Sequence, residues 1–253
     1  MIPIDVLLSP AEQETLRHRE LSRTACAVFD VLRATTTMLE MLARGAAAIR
    51  PVSEIAEAVA LRRADPDLLL AGERHGLRIA AADADGIPFD FGNSPREVRT
   101  AALAGRHLAM TTTNGTRALQ ACFGAQSVWV TAFTNLAATS RVLIHPSVQG
   151  LLLVCSGTGA NPAYEDILGA GALIDRLLTE AAAPPFELSD TAQVALDAFR
   201  AHRGELATAI RAAANARRLL SIPDLAADVP ACLDTDRHDF AAQLHPDGWV
   251  RRI

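Results

Sequence analysis

The chain has 253 residues, half of them hydrophobic, with 24 basic and 29 acidic side chains and a formal net charge of -5. That length accommodates one large domain or two small ones with a full core, and the acidic balance argues against nucleic acid or an anionic membrane surface as main partner. All the basic residues are arginine, which excludes a Walker A phosphate loop and any Schiff-base mechanism, because both need lysine. Arginine is then the residue to clamp any anion.

Ile2 to Leu8 reads as a strand, and Ser9-Pro10-Ala11-Glu12 as a capping box opening a short helix. Ala25 to Phe29 reads as a buried strand that ends at Asp30-Val-Leu-Arg33-Ala-Thr-Thr-Thr37, followed by a helix that stops at Gly45. Ala46 to Val52 is a strand, Ser53 to Ala64 a helix and Asp67 to Ala71 a strand. Between Gly72 and Pro95 periodicity disappears, yet apolar residues persist, as in an ordered functional loop. A strand, a Thr-rich loop, a helix and a strand then run from about Arg106 to Thr131, and a shift of 79 lays Thr37, Gly45, Ala46 and Ile49 on Thr116, Gly124, Ala125 and Val128. Thr134 to His145 is helical, Leu151 to Cys155 a buried strand, and Ala163 to Glu180 a helix. An Ala-rich helix from about Thr191 to Leu220 and a polar tail complete the reading.

Strands alternating with helices imply an α/β fold in three α/β/α layers, with a largely parallel or mixed sheet. The repeat suggests one domain over 1–253 that holds two duplicated α/β units, about 1–105 and 106–253. Sites in such sheets lie beyond the strand C-termini, where the polar loops fall. The four cysteines are scattered without C-x-x-C spacing, as expected of buried reduced thiols. No secretory signal and no apolar run of membrane-spanning length is evident, so a cytoplasmic protein is expected. Oligomerisation through the Ala-rich helices is compatible with the sequence.

Asp30 closes the first buried strand, where a carboxylate can hold Mg²⁺ or attack phosphorus, and Arg33 can clamp phosphoryl oxygens. A buried Asp–Arg pair is the structural alternative. Thr111 to Thr116 joins strand to helix: Thr112, Thr113, Asn114, Gly115 and Thr116 offer hydroxyls and amides to an anion, or simply cap the helix. Glu73 and Arg74, between two glycines, add a carboxylate and a cation. Ser94 and Glu97 form a capping box like Ser9 and Glu12, so they are structural, whereas Asp90 and Asn93 are not explained by capping. Cys155 lacks the arginine of a Cys-phosphatase loop, because residue 161 is Asn. Glu165 and Asp166 open a helix after a Gly-rich loop, where they complement the dipole or hold a metal. The histidines lack metal-ligand spacing, so oxygen ligands and Mg²⁺ are favoured over zinc. A haloacid-dehalogenase signature would require Asp at residue 32, which is Leu.

The ordered segments Asp30-Val-Leu-Arg-Ala-Thr-Thr-Thr, Gly72-Glu-Arg-His-Gly, Gly92-Asn-Ser-Pro, Thr111-Thr-Thr-Asn-Gly-Thr and Glu165-Asp166 resemble the 2-phosphosulfolactate phosphatase (ComB-type) family, and Asp228-Val-Pro-Ala-Cys232 is similar to its C-terminal pattern. The resemblance covers roughly Asp5 to Phe240. It implies a Mg²⁺-dependent phosphatase with an α/β/α fold of its own, acting on 2-phospho-3-sulfolactate on a route to coenzyme M. On this reading Asp30, Glu73, Glu165 and Asp166 serve the metal. Asp30 and Arg33 serve the chemistry, with attack by Asp30 or by water both open. Arg33, Asn93 and residues Thr112 to Thr116 hold the phosphoryl group, and Arg74 or Arg96 takes the second anionic group. A non-catalytic binding protein for a phosphorylated or sulfonated metabolite is the other class that fits the same residues.

Overall fold

A computed structural model of the protein describes residues 1–181 and 183–253. Eleven strands form one sheet. They are β1 (Ile2–Leu7), β2 (Thr24–Phe29), β3 (Ala48–Val52), β4 (Leu69–Arg74), β5 (Leu77–Arg78), β6 (His107–Thr111), β7 (Ser127–Thr131), β8 (Gly150–Cys155), β9 (Phe186–Leu188), β10 (Ala242–Leu244) and β11 (Val250–Arg252). The helices that matter for the site are α1 (Pro10–Gln13), α2 (Ala34–Ala43), α3 (Ile55–Ala64), α4 (Pro95–Val98), α5 (Gly115–Ala121), α6 (Leu136–Leu143), α7 (Tyr164–Thr179), α8 (Asp190–His202), α9 (Leu206–Arg211) and α10 (Ala214–Leu220).

Side chains alternate faces along a strand, and the core divides accordingly. Ala25, Ala27 and Phe29 of β2, with Leu151 and Leu153 of β8, pack under α6 to α10. Cys26 and Val28, with Leu152 and Val154, pack on the opposite side against Met38, Leu39 and Leu42 of α2 and Leu119 of α5. A third cluster sets Val59 of α3 on Val52, Leu70 and Ala109. The expected three-layer α/β/α architecture is therefore present, on a mixed sheet. No described helix is long and apolar enough to cross a membrane.

Strand order is β5-β4-β6-β3-β11-β10-β7-β2-β8-β1-β9. β4, β6 and β3 are mutually parallel, as are β7, β2, β8, β1 and β9. Between them stands the hairpin β10–β11, antiparallel to its neighbours on both sides. Strands from 1–105 and 106–253 thus interleave in a single ladder. The repeated units cross: β2 and β7 lie side by side, and so do β6 and β3.

Two sequence expectations change. The polar tail supplies the hairpin at the centre of the ladder. Its strands have only three residues each, too short for a periodic signal. The Ala-rich helix is broken into α8, α9 and α10, because Ile210 and Leu219 must both turn into the core.

Three antiparallel steps separate the two parallel groups, which therefore run in opposite directions, and four strands stand between β6 and β2. The loop after β6 nevertheless touches the end of β2. There Gly115, after β6, packs directly against Asp30, after β2.

Candidate active site

The meeting point is a cavity of about 450 Å³ lined by Asp30, Arg33, Glu73, Asn93, Thr113 and Asn114, with His75, Gly157 to Gly159, Asn215 and Arg218. Asp30 leaves β2 and is held at once. Its Oδ1 accepts the Ala34 amide at 3.0 Å, and its own amide donates to Thr35 Oγ1 at 3.1 Å. Oδ2 lies against Gly115, where a Cβ would come within 2.5 Å of it; glycine there permits loop and carboxylate to meet. Burial pushes the Asp30 carboxyl up to about 7; Glu73 and Glu165 add to the rise, and the Ala34 amide and Arg33 oppose it.

Glu73 is the last cavity-facing residue of β4. Its Oε1 accepts both the amide and the hydroxyl of Thr113, each at 2.9 Å, and Oε2 accepts the Gly76 amide at 2.7 Å. The Thr113 donors expected to cradle an anion are therefore engaged by an internal carboxylate. Thr112 and Thr116 bond to each other across the turn and are buried away from the cavity. Asn114 fastens the loop to its neighbour, donating to Ser156 O (2.9 Å) and Gly159 O (3.0 Å) and accepting the Gly159 amide.

Arg33 enters the cavity wall but is 2 % exposed, donating to Asp228 Oδ2 at 2.6 Å and to Gly76 O at 2.7 Å. Ser94 bonds the other Asp228 oxygen at 2.7 Å while also capping α4 through the Glu97 amide. Asp166 uses one oxygen on the Val31 amide and the other on the Gly157 amide, bracing the loops after β2 and β8. Burial, and then the charges of Asp30 and Glu165, push its carboxyl well up. Glu165 is also raised, mainly by burial; Oε1 accepts Asn215 Nδ2 at 3.1 Å and Oε2 is buried without a partner.

Three sequence candidates lie elsewhere. Arg74 follows Glu73 on a strand and so points to the opposite face, bonding Thr111 Oγ1 at 3.1 Å and lining a separate cleft with Glu54 and Asp83. Arg96 is exposed and does not line the cavity. Asp90 pairs with Arg62 and accepts the Leu70 amide. Cys155 is fully buried and its thiol is pushed well up by burial, as befits an inert core residue. Conversely, His75, Asn215 and Arg218 were not singled out in the sequence. The one hint was a pair of polar side chains, Asn215 and Arg218, three apart in an Ala-rich helix.

The donor set suits a hard divalent cation. Asp30, Glu73, Glu165, Asp166 and Asp228 are buried around one buried guanidinium, Arg33, and both Glu165 Oε2 and Asn93 Oδ1 lack partners among the described residues. Still, among the described residues no three Asp, Glu, His or Cys side chains are gathered so that they could hold a metal ion.

Comparison with known proteins bears on the family of the chain. The family model described as 2-phosphosulpholactate phosphatase matches residues 11–246. A protein of Deinococcus radiodurans named "Probable 2-phosphosulfolactate phosphatase" is 38% identical over 218 residues, covering 86% of this chain and 82% of its own. Relatives of the same name in Caldanaerobacter subterraneus (33% over 241 residues, 94% of each chain) and Pseudothermotoga lettingae (32% over 251 residues, 98% and 99%) span almost the full length. The motif loops thus meet in one cavity, on a chain matched nearly end to end, and the chain belongs to the 2-phosphosulpholactate phosphatase family.

Proposed function

We propose that this protein is a Mg²⁺-dependent phosphatase that hydrolyses 2-phospho-3-sulfolactate, or a closely related phosphorylated 2-hydroxy acid, to the free acid and phosphate. The observation that carries the reading is Asp30: a buried carboxyl at a strand end, pushed up to about 7, that nevertheless lines an open cavity. A group with that affinity for protons is suited to general-base work near neutrality.

In this mechanism the phosphoryl group enters beside Asp30, with Arg33 and the Asn93 side chain on its flanks. Arg33 is held in place by Asp228 and Gly76 O, so its remaining N–H donors present a fixed face to the phosphoryl oxygens. Asp30 Oδ2 takes a proton from the attacking water as the water oxygen bonds to phosphorus, while Oδ1 stays on the Ala34 amide and fixes the carboxylate plane. The ester P–O bond breaks, and the leaving alkoxide takes a proton from solvent in the open cavity. Glu73 and Asp166 bind backbone amides of Thr113, Gly76, Val31 and Gly157, keeping four loops in register around the ester. Glu165 Oε2 and Asn93 Oδ1, buried oxygens without partners among the described residues, would hold Mg²⁺, which when bound would supply positive charge to the phosphoryl oxygens.

The test is phosphate release from 2-phospho-3-sulfolactate with and without Mg²⁺, comparing the parent protein with Asp30→Asn. Loss of at least 10³-fold in kcat is expected for the variant. Equal release by both forms would remove Asp30 from the chemistry. An acyl-phosphate trapped on Asp30 by rapid quench would replace base catalysis with nucleophilic attack.

A further inference from the structure

Two guanidiniums line the cavity, and they differ in what they already hold. Arg33 is buried and neutralised by Asp228. Arg218 on α10 is exposed and pairs with no carboxylate among the described residues; Nη1 donates to His75 O at 2.9 Å and Nη2 to Asn215 Oδ1 at 2.8 Å, both neutral acceptors. A guanidinium has five N–H donors, so most of its donor capacity remains available to a ligand, while its charge also acts on the nearby Glu165 carboxyl.

Its place is nonetheless fixed. Asn215 is anchored through Nδ2 to Leu32 O at 2.6 Å and to Glu165 Oε1 at 3.1 Å, so a chain of contacts runs from the buried acid to the arginine head. Gly76, with φ +82°, leaves the space that the head occupies: a Cβ there would lie 2.6 Å from Arg218 Nη1. Arg33 donates to the carbonyl of the same Gly76, and Arg218 to that of His75. The two guanidiniums are therefore fastened to the carbonyls of consecutive residues of one turn. Both line the same cavity, so one small molecule can present an anionic group to each.

We propose that Arg218 binds the second oxyanion of the substrate, a sulfonate or carboxylate on the carbon next to the phosphoester carbon, while the phosphoryl group lies deeper, between Arg33 and Asp30. The assignment rests on the phosphatase reading above and adds to it the residue that selects for a second negative charge. Depth decides which guanidinium takes which group, since the reacting phosphorus must reach buried Asp30 and Arg218 stands at the exposed rim. Arginine suits the role because its planar fork meets sulfonate or carboxylate oxygens in pairs.

The experiment compares the parent protein with Arg218→Met and Arg218→Lys on four esters: 2-phospho-3-sulfolactate, 2-phospholactate, 2-sulfoethyl phosphate and ethyl phosphate. For Arg218→Met, KM for the first should rise 10- to 100-fold with kcat within threefold, and Lys should restore part of the loss. The penalty should persist on whichever of 2-phospholactate and 2-sulfoethyl phosphate keeps the anion that Arg218 holds, and vanish on ethyl phosphate. A penalty equal on all four esters, or absent from all, makes Arg218 a mere staple of the His75–Gly76 turn and overturns the proposal. A second arm titrates 3-sulfolactate calorimetrically, with at least tenfold weaker binding expected for Arg218→Met. Equal binding by both proteins, or none by the parent, also overturns it. If the parent hydrolyses no ester but binds 3-sulfolactate through Arg218, the subsite stands and the hydrolytic reading falls.

Discussion

Asp30 illustrates how a single carboxyl can burden a fold in return for reactivity. Its folded-state value of about 7 lies above the ordinary 3.8, so the fold favours the protonated form. The sign follows: the group costs little below pH 3.8, its cost grows between pH 3.8 and about 7, and it levels off above that. Asp30→Asn keeps an acceptor for the Ala34 amide and removes that cost. The variant should match the parent in stability at pH 4 and exceed it at pH 8 by up to about 4 kcal/mol, read from urea midpoints. Equal midpoints at pH 8 would show that the Asp30 charge is already compensated. Asp30 itself was legible in the sequence, since an acid ending an apolar run has few structural reasons to be there. Arg218 was not, because α10 meets the cavity only after two breaks in an Ala-rich stretch whose composition does not specify where it turns.

Among the elements, the loop after β2 and the helical segment at Asp228 depend on each other most. Arg33 and Asp228 form a buried pair, 2 % and 0 % exposed, from positions 195 residues apart. Removing one partner leaves an uncompensated buried charge, so Asp228→Asn should cost about 3–5 kcal/mol, whereas Ser94→Ala, which removes a neutral donor to Asp228 and the cap of α4, should cost about 1–2 kcal/mol. Denaturant midpoints of the two variants measure the ratio, and comparable losses would mean that Asp228 acts mainly through Ser94. Local pattern reveals either residue of such a pair but never the partnership. The same limit explains the loop at Thr111 to Thr116. Its strand-to-helix form follows from Met110, Gly115 and Leu119, yet nothing nearby in sequence indicates that Glu73 takes the Thr113 amide and hydroxyl. Thr112 and Thr116 read equally well as anion ligands or as caps, and the fold bonds them to each other across the turn.

For the molecule as a whole, the long strands and helices were readable because each buries a periodic face, and α/β layering follows from their alternation. The hairpin was not, since Ala242–Leu244 and Val250–Arg252 carry too few residues for a period to register. It nonetheless joins the two parallel groups, pairing with β7 through Ala242 to Leu244 and with β3 at Val250. A variant ending at Asp239 should lose near-ultraviolet circular dichroism and cooperative melting while keeping helical signal, as expected when the two sides no longer close around α2 and α5. Native-like melting of that variant would show that the two sides hold together without it.

The hairpin also follows all nine other strands in chain order. As the nascent chain leaves the ribosome, both wings of the sheet are therefore delivered with their inner edges, β3 and β7, still unpaired. Open edges of that kind invite pairing with other chains. The interval before the hairpin emerges is the stage at which this protein depends most on chaperones, and slowing translation just ahead of residue 242 would lengthen it.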